Sequence, residues 1–198
     1  MRNLLSKGAV LAAAAAALPA SAQNGLTVYG GWRGGGSFES TNGDSATLQG
    51  SFAGSAALDL GYDAARTIQV FASYQSTELP AFAGNPALPL RVGYLHLGGT
   101  NYFDGQAGRG GYVVGGLGAT VLAPETNGLS SEWRPSLNIG IGWQWPLADK
   151  VSLRFEARGY LTLIDSSGTL FCSGGCVVSI QGDLMTQAEA MVGLSIGF

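Results

Sequence analysis

From Val151 to Leu163 the chain keeps a strict period of two. Val151, Leu153, Phe155, Ala157, Leu161 and Leu163 occupy one set of positions; Ser152, Arg154, Glu156, Arg158, Tyr160 and Thr162 occupy the other. Successive side chains of an extended chain point to opposite faces, so this period predicts a strand between two unlike environments. One environment receives only hydrocarbon, and the other receives three ions. The last residues repeat the pattern: Ala190, Val192, Leu194, Ile196 and Phe198 share a face, while Met191, Gly193 and Ser195 oppose them, with Glu189 and Gln187 extending the polar side. A third copy places Leu137, Ile139, Ile141, Trp143 and Trp145 against Ser136, Asn138, Gly140, Gly142 and Gln144.

Composition decides which face meets what. Hydrophobic residues make up 46% of the chain and charged residues only 12%, about half the usual charged share. No run of about 20 apolar residues exists, so a transmembrane helix is excluded. A closed transmembrane β-barrel accommodates both facts, because its outer wall meets lipid and each strand needs only alternate apolar positions. The 32 glycines suit short strands, tight turns and a crowded interior.

The first 22 residues read as a cleaved secretory signal. Arg2 and Lys7 supply positive charge, Gly8 to Leu18 is apolar, Pro19 interrupts it, and Ala20-Ser21-Ala22 is a small-x-small cleavage pattern. Residues 23–198 then form one barrel domain beginning at Gln23, with no Cys there to carry a lipid anchor. Without Arg2 and Lys7 the basic count falls from 10 to 8 against 13 acids, a net charge of about −5, which argues against nucleic acid as a partner.

Eight antiparallel strands follow from the pattern: Leu26 to Phe38, Leu48 to Tyr62, Thr67 to Ser76, Leu90 to about Tyr102, Gly111 to Ala123, Ser136 to Trp145, Val151 to Leu163, and Gln181 to Phe198. The fourth and fifth have ambiguous faces. His96 is placed inward, since an imidazole facing lipid is costly. Connections after the first, third, fifth and seventh strands are longer than the others. Outer-membrane barrels have short periplasmic turns and long outer loops, so both termini are expected in the periplasm and four longer loops outside the cell. Trp143, Trp145, Tyr62 and Phe198 then mark one aromatic girdle, and Trp133 and Tyr74 the other.

Inward positions carry the ions. Arg33, Arg154, Glu156, Arg158 and Glu189, joined by Asp59, are expected to form one lumenal charge network. An eight-stranded barrel is just wide enough for side chains to fill, so the network plugs it or, alternatively, lines a narrow gated channel for small solutes. Cys172 and Cys176 bracket three residues, and an oxidising compartment favours a structural disulfide between them. No residue pattern calls for a metal or other cofactor. The glycine-rich runs lack the Lys-Ser/Thr continuation of a phosphate loop.

His96 is the sole histidine. A second alternative, a lipid A-modifying enzyme, would have to use it. The lipid A deacylase family has a Ser two residues after its catalytic His, and here that residue is Gly98. Catalysis is therefore not expected.

Residues 23–198 resemble the OmpA-transmembrane-domain-like class of eight-stranded outer-membrane barrels, which includes the OmpX-like proteins. The resemblance rests on the signal, the strand count, the alternation of connections and the terminal Val192-Gly193-Leu194-Ser195-Ile196-Gly197-Phe198. Tyr94 to Thr100, Gly115 to Thr120, and Phe155 to Tyr160 through Phe171 to Cys176 resemble a proteobacterial subgroup of such proteins. The resemblance implies a monomer in the Gram-negative outer membrane, in contact with its lipid and lipopolysaccharide. It implies delivery by periplasmic chaperones to the barrel-assembly machinery, with Val192, Leu194, Ile196 and Phe198 as the assembly signal. It also implies a role in envelope integrity or surface interaction.

Overall fold

The computed structural model describes residues 24–39, 45–81, 86–126, 128–164, 169–170, 178–179 and 184–198. Eight long strands close into one antiparallel barrel: β1 (Gly25–Gly35), β2 (Ser51–Gly61), β3 (Arg66–Leu79), β4 (Leu88–Tyr102), β5 (Gly110–Pro124), β6 (Glu132–Ala148), β7 (Val151–Leu163) and β8 (Leu184–Gly197). Each strand pairs with its neighbours in sequence, and β1 pairs with β8 to close the ring. All backbone donors within the ring can therefore pair between strands, and no edge is left open.

The pleat sorts the two chemistries as the period of two requires. On β7, Arg154, Glu156, Arg158, Tyr160 and Thr162 turn into the barrel, while Phe155 and Leu163 face out. On β8, Met185, Gln187, Glu189, Met191 and Ser195 face in, and Val192, Leu194 and Ile196 face out. The outer wall is hydrocarbon: Leu97 is 62% exposed, Leu117 69% and Ile139 66%. So continuous an apolar surface is rare on a monomer dissolved in water. The exposed aromatics extend beyond those expected, adding Trp32, Phe52 and Phe103.

Strand ends depart from the periodicity reading in particular places. The first strand ends at Gly35 rather than Phe38, because Gly35 and Gly36 both adopt φ of 92°, a conformation that side chains rarely allow. Ser37–Glu39 then pairs with Ser45–Thr47 as a separate short ladder. The third strand runs on to Leu79, and the sixth spans Glu132–Ala148 with a register irregularity between Pro146 and Ala148. The missing donor of Pro146 fits a place where the ladder slips. Within the last connection, Thr169–Leu170 pairs with Val178–Ser179.

Glycine explains the ambiguous strands. Gly98 and Gly99 on β4 face Gly116 and Gly115 on β5. A Cβ on Gly98 would collide with the Gly115 carbonyl, and one on Gly118 with the Leu95 carbonyl. The two strands therefore approach closely and present bare backbone, which carries no face. Outside that patch the faces are clear: Tyr94, His96, Tyr112 and Val114 point in, and Leu95, Leu97 and Val113 point out.

Candidate functional site

The barrel interior gathers the polar chemistry, and it falls into two clusters rather than one network. The first lies toward the short-turn end. Arg154 donates to Asp59 at 2.6 Å and to the Tyr112 hydroxyl at 3.1 Å. Asp59 also accepts from Gln69 at 2.8 Å and Thr67 at 3.1 Å. Glu156 lies between two arginines: Arg158 reaches it at 2.5 Å, and Arg154 stands 3.8 Å away. Glu156 also accepts from the Tyr112 hydroxyl at 2.7 Å and from the Tyr29 hydroxyl at 3.3 Å. Two cations and two carboxylates thus compensate each other in a space where an unpaired charge would be expensive.

The second cluster sits further along the axis. Arg33 and Glu189 are direct cross-strand partners on β1 and β8. They form a salt bridge of 2.7 Å, with both side chains fully shielded from solvent. Tyr160 donates to Glu189 at 2.6 Å, and Arg33 also contacts the Ser73 hydroxyl. The guanidinium lies 4.9 Å from the Tyr94 ring centroid and 4.8 Å from that of Tyr160. Aromatic faces attract cations, most strongly where water is absent.

Arg158 stands directly opposite Glu189 in the β7–β8 register. It nevertheless turns to Glu156 on its own strand and packs over the Phe71 ring at 3.7 Å. That ring, with Ala57 and Met191, contributes buried hydrocarbon to the same interior. Toward the long-connection end the interior becomes apolar: Leu79, Leu88, Leu90, Leu122, Ile164 and Met185 are buried together.

His96 faces the lumen, 2% exposed. Its Nε2 lies 2.9 Å from the Ser136 hydroxyl, and its ring stacks on Tyr94 at 5.5 Å. A hydroxyl neighbour for His96 therefore exists, but it comes from β6, across the intervening β5, not from two residues along the chain. The pair lacks two requirements of a nucleophilic dyad. Nδ1 has no hydrogen-bond partner among the described residues to orient the ring, and both side chains are buried rather than open to a substrate-sized cavity. No group of three or more His, Cys, Asp or Glu side chains among the described residues is placed to hold a metal ion.

The four residues of the expected assembly signal lie on the outer face, with Phe198 closing the end of the chain by donating its backbone N–H to Asn24 at 3.1 Å. Cys172 and Cys176 lie outside the described residues. Sequence reasoning missed the tyrosines that knit the ions together (Tyr29, Tyr94, Tyr112 and Tyr160). Their inward parity on their strands was the available signal.

No protein-family model matches the chain, and no curated protein matches it by sequence. Solved structures do share its fold. Neisserial surface protein A (NspA) aligns with a TM-score of 0.53 at 14% identity, covering 87% of this chain and 97% of NspA. The outer membrane protein AlkL in lipid bilayers follows at 0.49 and 15% identity, covering 92% and 93%. Ail, the attachment invasion locus protein of Yersinia pestis, gives 0.45 and 12%, covering 89% and 99%. The NspA likeness establishes a common fold. The class is thus that of closed eight-stranded antiparallel barrels with a polar interior and a hydrocarbon exterior.

Proposed function

We propose that the protein is an integral barrel of the bacterial outer membrane. Its lumen is closed, and it serves envelope integrity or surface interaction without catalysis or solute passage. The single observation that carries this reading is the filling of the interior. Two internally neutralised ion clusters are followed by an apolar layer of Leu79, Leu88, Leu90, Leu122, Ile164 and Met185. A pore needs a wetted path, and eight strands leave little room for one once arginines and tyrosines occupy it. The hydrocarbon exterior supports placement in lipid.

The same reading includes several proposals. The signal is cut after Ala22, a disulfide joins Cys172 to Cys176, and insertion depends on the terminal strand. Both termini lie in the periplasm, and the longer connections face outward, where a surface role of the kind that NspA's name describes would be exercised. Planar-bilayer recording tests closure. The wild-type barrel and an Arg158→Ala variant are both expected to be silent, and unitary currents from the wild type would replace this reading with that of a narrow channel. Fractionation with heat-modifiable gel mobility tests the location; recovery as a soluble protein without detergent would defeat it.

A further inference from the structure

The short-turn end of the barrel carries a polar mouth that neither ion cluster explains. A narrow cleft of about 20 Å³ opens there, lined by Asp59, Gln144, Lys150, Ser152, Arg154 and Ser195 among others. That volume holds about one water-sized group, so anything larger caps the opening rather than entering it. Its acceptors are already taken. Asp59 Oδ1 receives Gln69 and Thr67, its Oδ2 receives Arg154, and Gln144 Oε1 receives the Tyr102 hydroxyl at 2.7 Å. Its donors are not. The Lys150 ammonium, the Gln144 amide nitrogen and the hydroxyls of Ser152 and Ser195 have no partner among the described residues, and Arg154 Nη2, 3.8 Å from Glu156, makes no hydrogen bond. Ser152 and Ser195 are cross-strand partners, so their hydroxyls converge from β7 and β8.

Surface cations elsewhere are neutralised. Arg66 pairs with Asp63 at 2.5 Å, Arg91 with Glu125 at 2.6 Å and Arg134 with Glu132 at 2.5 Å. Lys150 and Arg109 are the cations left without a carboxylate among the described residues, and both belong to this end of the barrel. Arg109 lines a shallower trough of about 370 Å³ that meets the cleft at Gly108 and Ser152. Asp149 lines the trough as well, but not the cleft.

We propose that this mouth is an anion-binding site. A single carboxylate- or phosphate-type group seats on Lys150, Ser152 and Ser195 above Arg154, and the body of any larger anionic molecule lies along the trough past Arg109. A cleft whose carboxylate and amide oxygens are already engaged, while several donors are unpaired, favours an anion. The group comes either from a free inorganic ion or from the headgroup of an anionic phospholipid in the adjoining leaflet. The proposal is independent of whether the lumen conducts.

The test is nitrogen-proton NMR of the barrel purified from membranes into zwitterionic detergent. Sodium bromide, sodium phosphate and a short-chain phosphatidylglycerol are titrated in separate arms. Saturable shifts at the amides of Gly108, Lys150, Ser152 and Ser195 are expected, with affinity about fivefold weaker in Lys150→Met and in Ser195→Ala. A response to bromide and phosphate assigns a free ion. A response to phosphatidylglycerol alone, weakened by Arg109→Ala, assigns the headgroup. Shifts that fail to saturate, that persist unchanged in both variants, or that centre on Arg66 and Arg91 overturn the proposal. Lys150 lies in an exposed turn, so its variant is expected to fold with an unchanged urea midpoint.

Discussion

The two ion clusters inside the barrel solve the same problem with different reserves. Around Glu156 the charges are shared: two arginines flank one carboxylate, and Asp59 holds the far side of Arg154. Around Glu189 there is a single cation and a single carboxylate, shielded by two tyrosine rings. The first arrangement can lose a member and rearrange. The second cannot, because no other carboxylate among the described residues pairs with Arg33. Redundancy, rather than the number of charges buried, therefore sets how much each ion matters.

The sharpest way to break this comparison is Glu189→Ala. It strands Arg33 in a site shielded from solvent and is expected to lower stability by about 3–5 kcal/mol, read from the urea midpoint of the barrel. The double change Arg33→Met with Glu189→Leu is expected to recover most of that loss, since removing both members removes the desolvation cost as well. Asp59→Asn sharpens the other side. Arg154 keeps Tyr112 and Glu156, so a loss of about 1.5–3 kcal/mol is expected. Equal losses at Asp59 and Glu189 would show that sharing confers nothing. Deleting Phe198 leaves both clusters intact and is expected to reduce assembled barrel in membranes severalfold, with little change in the stability of what does assemble; equal yields would end the proposal that the terminal strand is an assembly signal.

The smallest expected effect lies outside both clusters, in the β2–β3 turn. The hydrogen bond from the Arg66 side chain, together with the Ala65 backbone N–H, holds the Asp63 carboxyl below its usual value. A carboxyl depressed in the folded state contributes stability that is fully present above the unfolded value of about 3.9 and fades as pH falls through the folded one. The difference in urea midpoint between wild type and Asp63→Asn should therefore shrink below about pH 4. Because the turn is exposed and screened, the whole difference should be slight.

How much of this was legible depended on whether side chains marked the faces. β6, β7 and β8 were readable because large apolar residues occupy every second position. The barrel class followed from them, together with the low charge content. β4 and β5 were not readable where Gly98-Gly99 meets Gly115-Gly116, since a residue without a side chain reports no face. The end of β1 was hidden for a related reason: the turn at Gly35 and Gly36 is a backbone event. Inward parity showed which ions enter the lumen. It could not show that Arg158 prefers Glu156 on its own strand to Glu189 directly opposite, nor that Arg154 meets Asp59 across 95 positions of chain. Those choices depend on side-chain reach across the interior. The His96–Ser136 contact is hidden in the same way.

The closure between β1 and β8 has a temporal consequence. Arg33 and Glu189 are 156 positions apart in sequence, so their bridge is expected to be among the last contacts the chain makes. Contacts of such long range are slow to form because the intervening chain must first be ordered. Until then Arg33 is a cation without its carboxylate, on a strand with an unpaired edge. The bridge is thus expected to act as a latch whose formation coincides with completion of the ring. A fluorophore quenched by the meeting of β1 and β8 would time the final step of folding separately from the steps that bring the barrel to the bilayer.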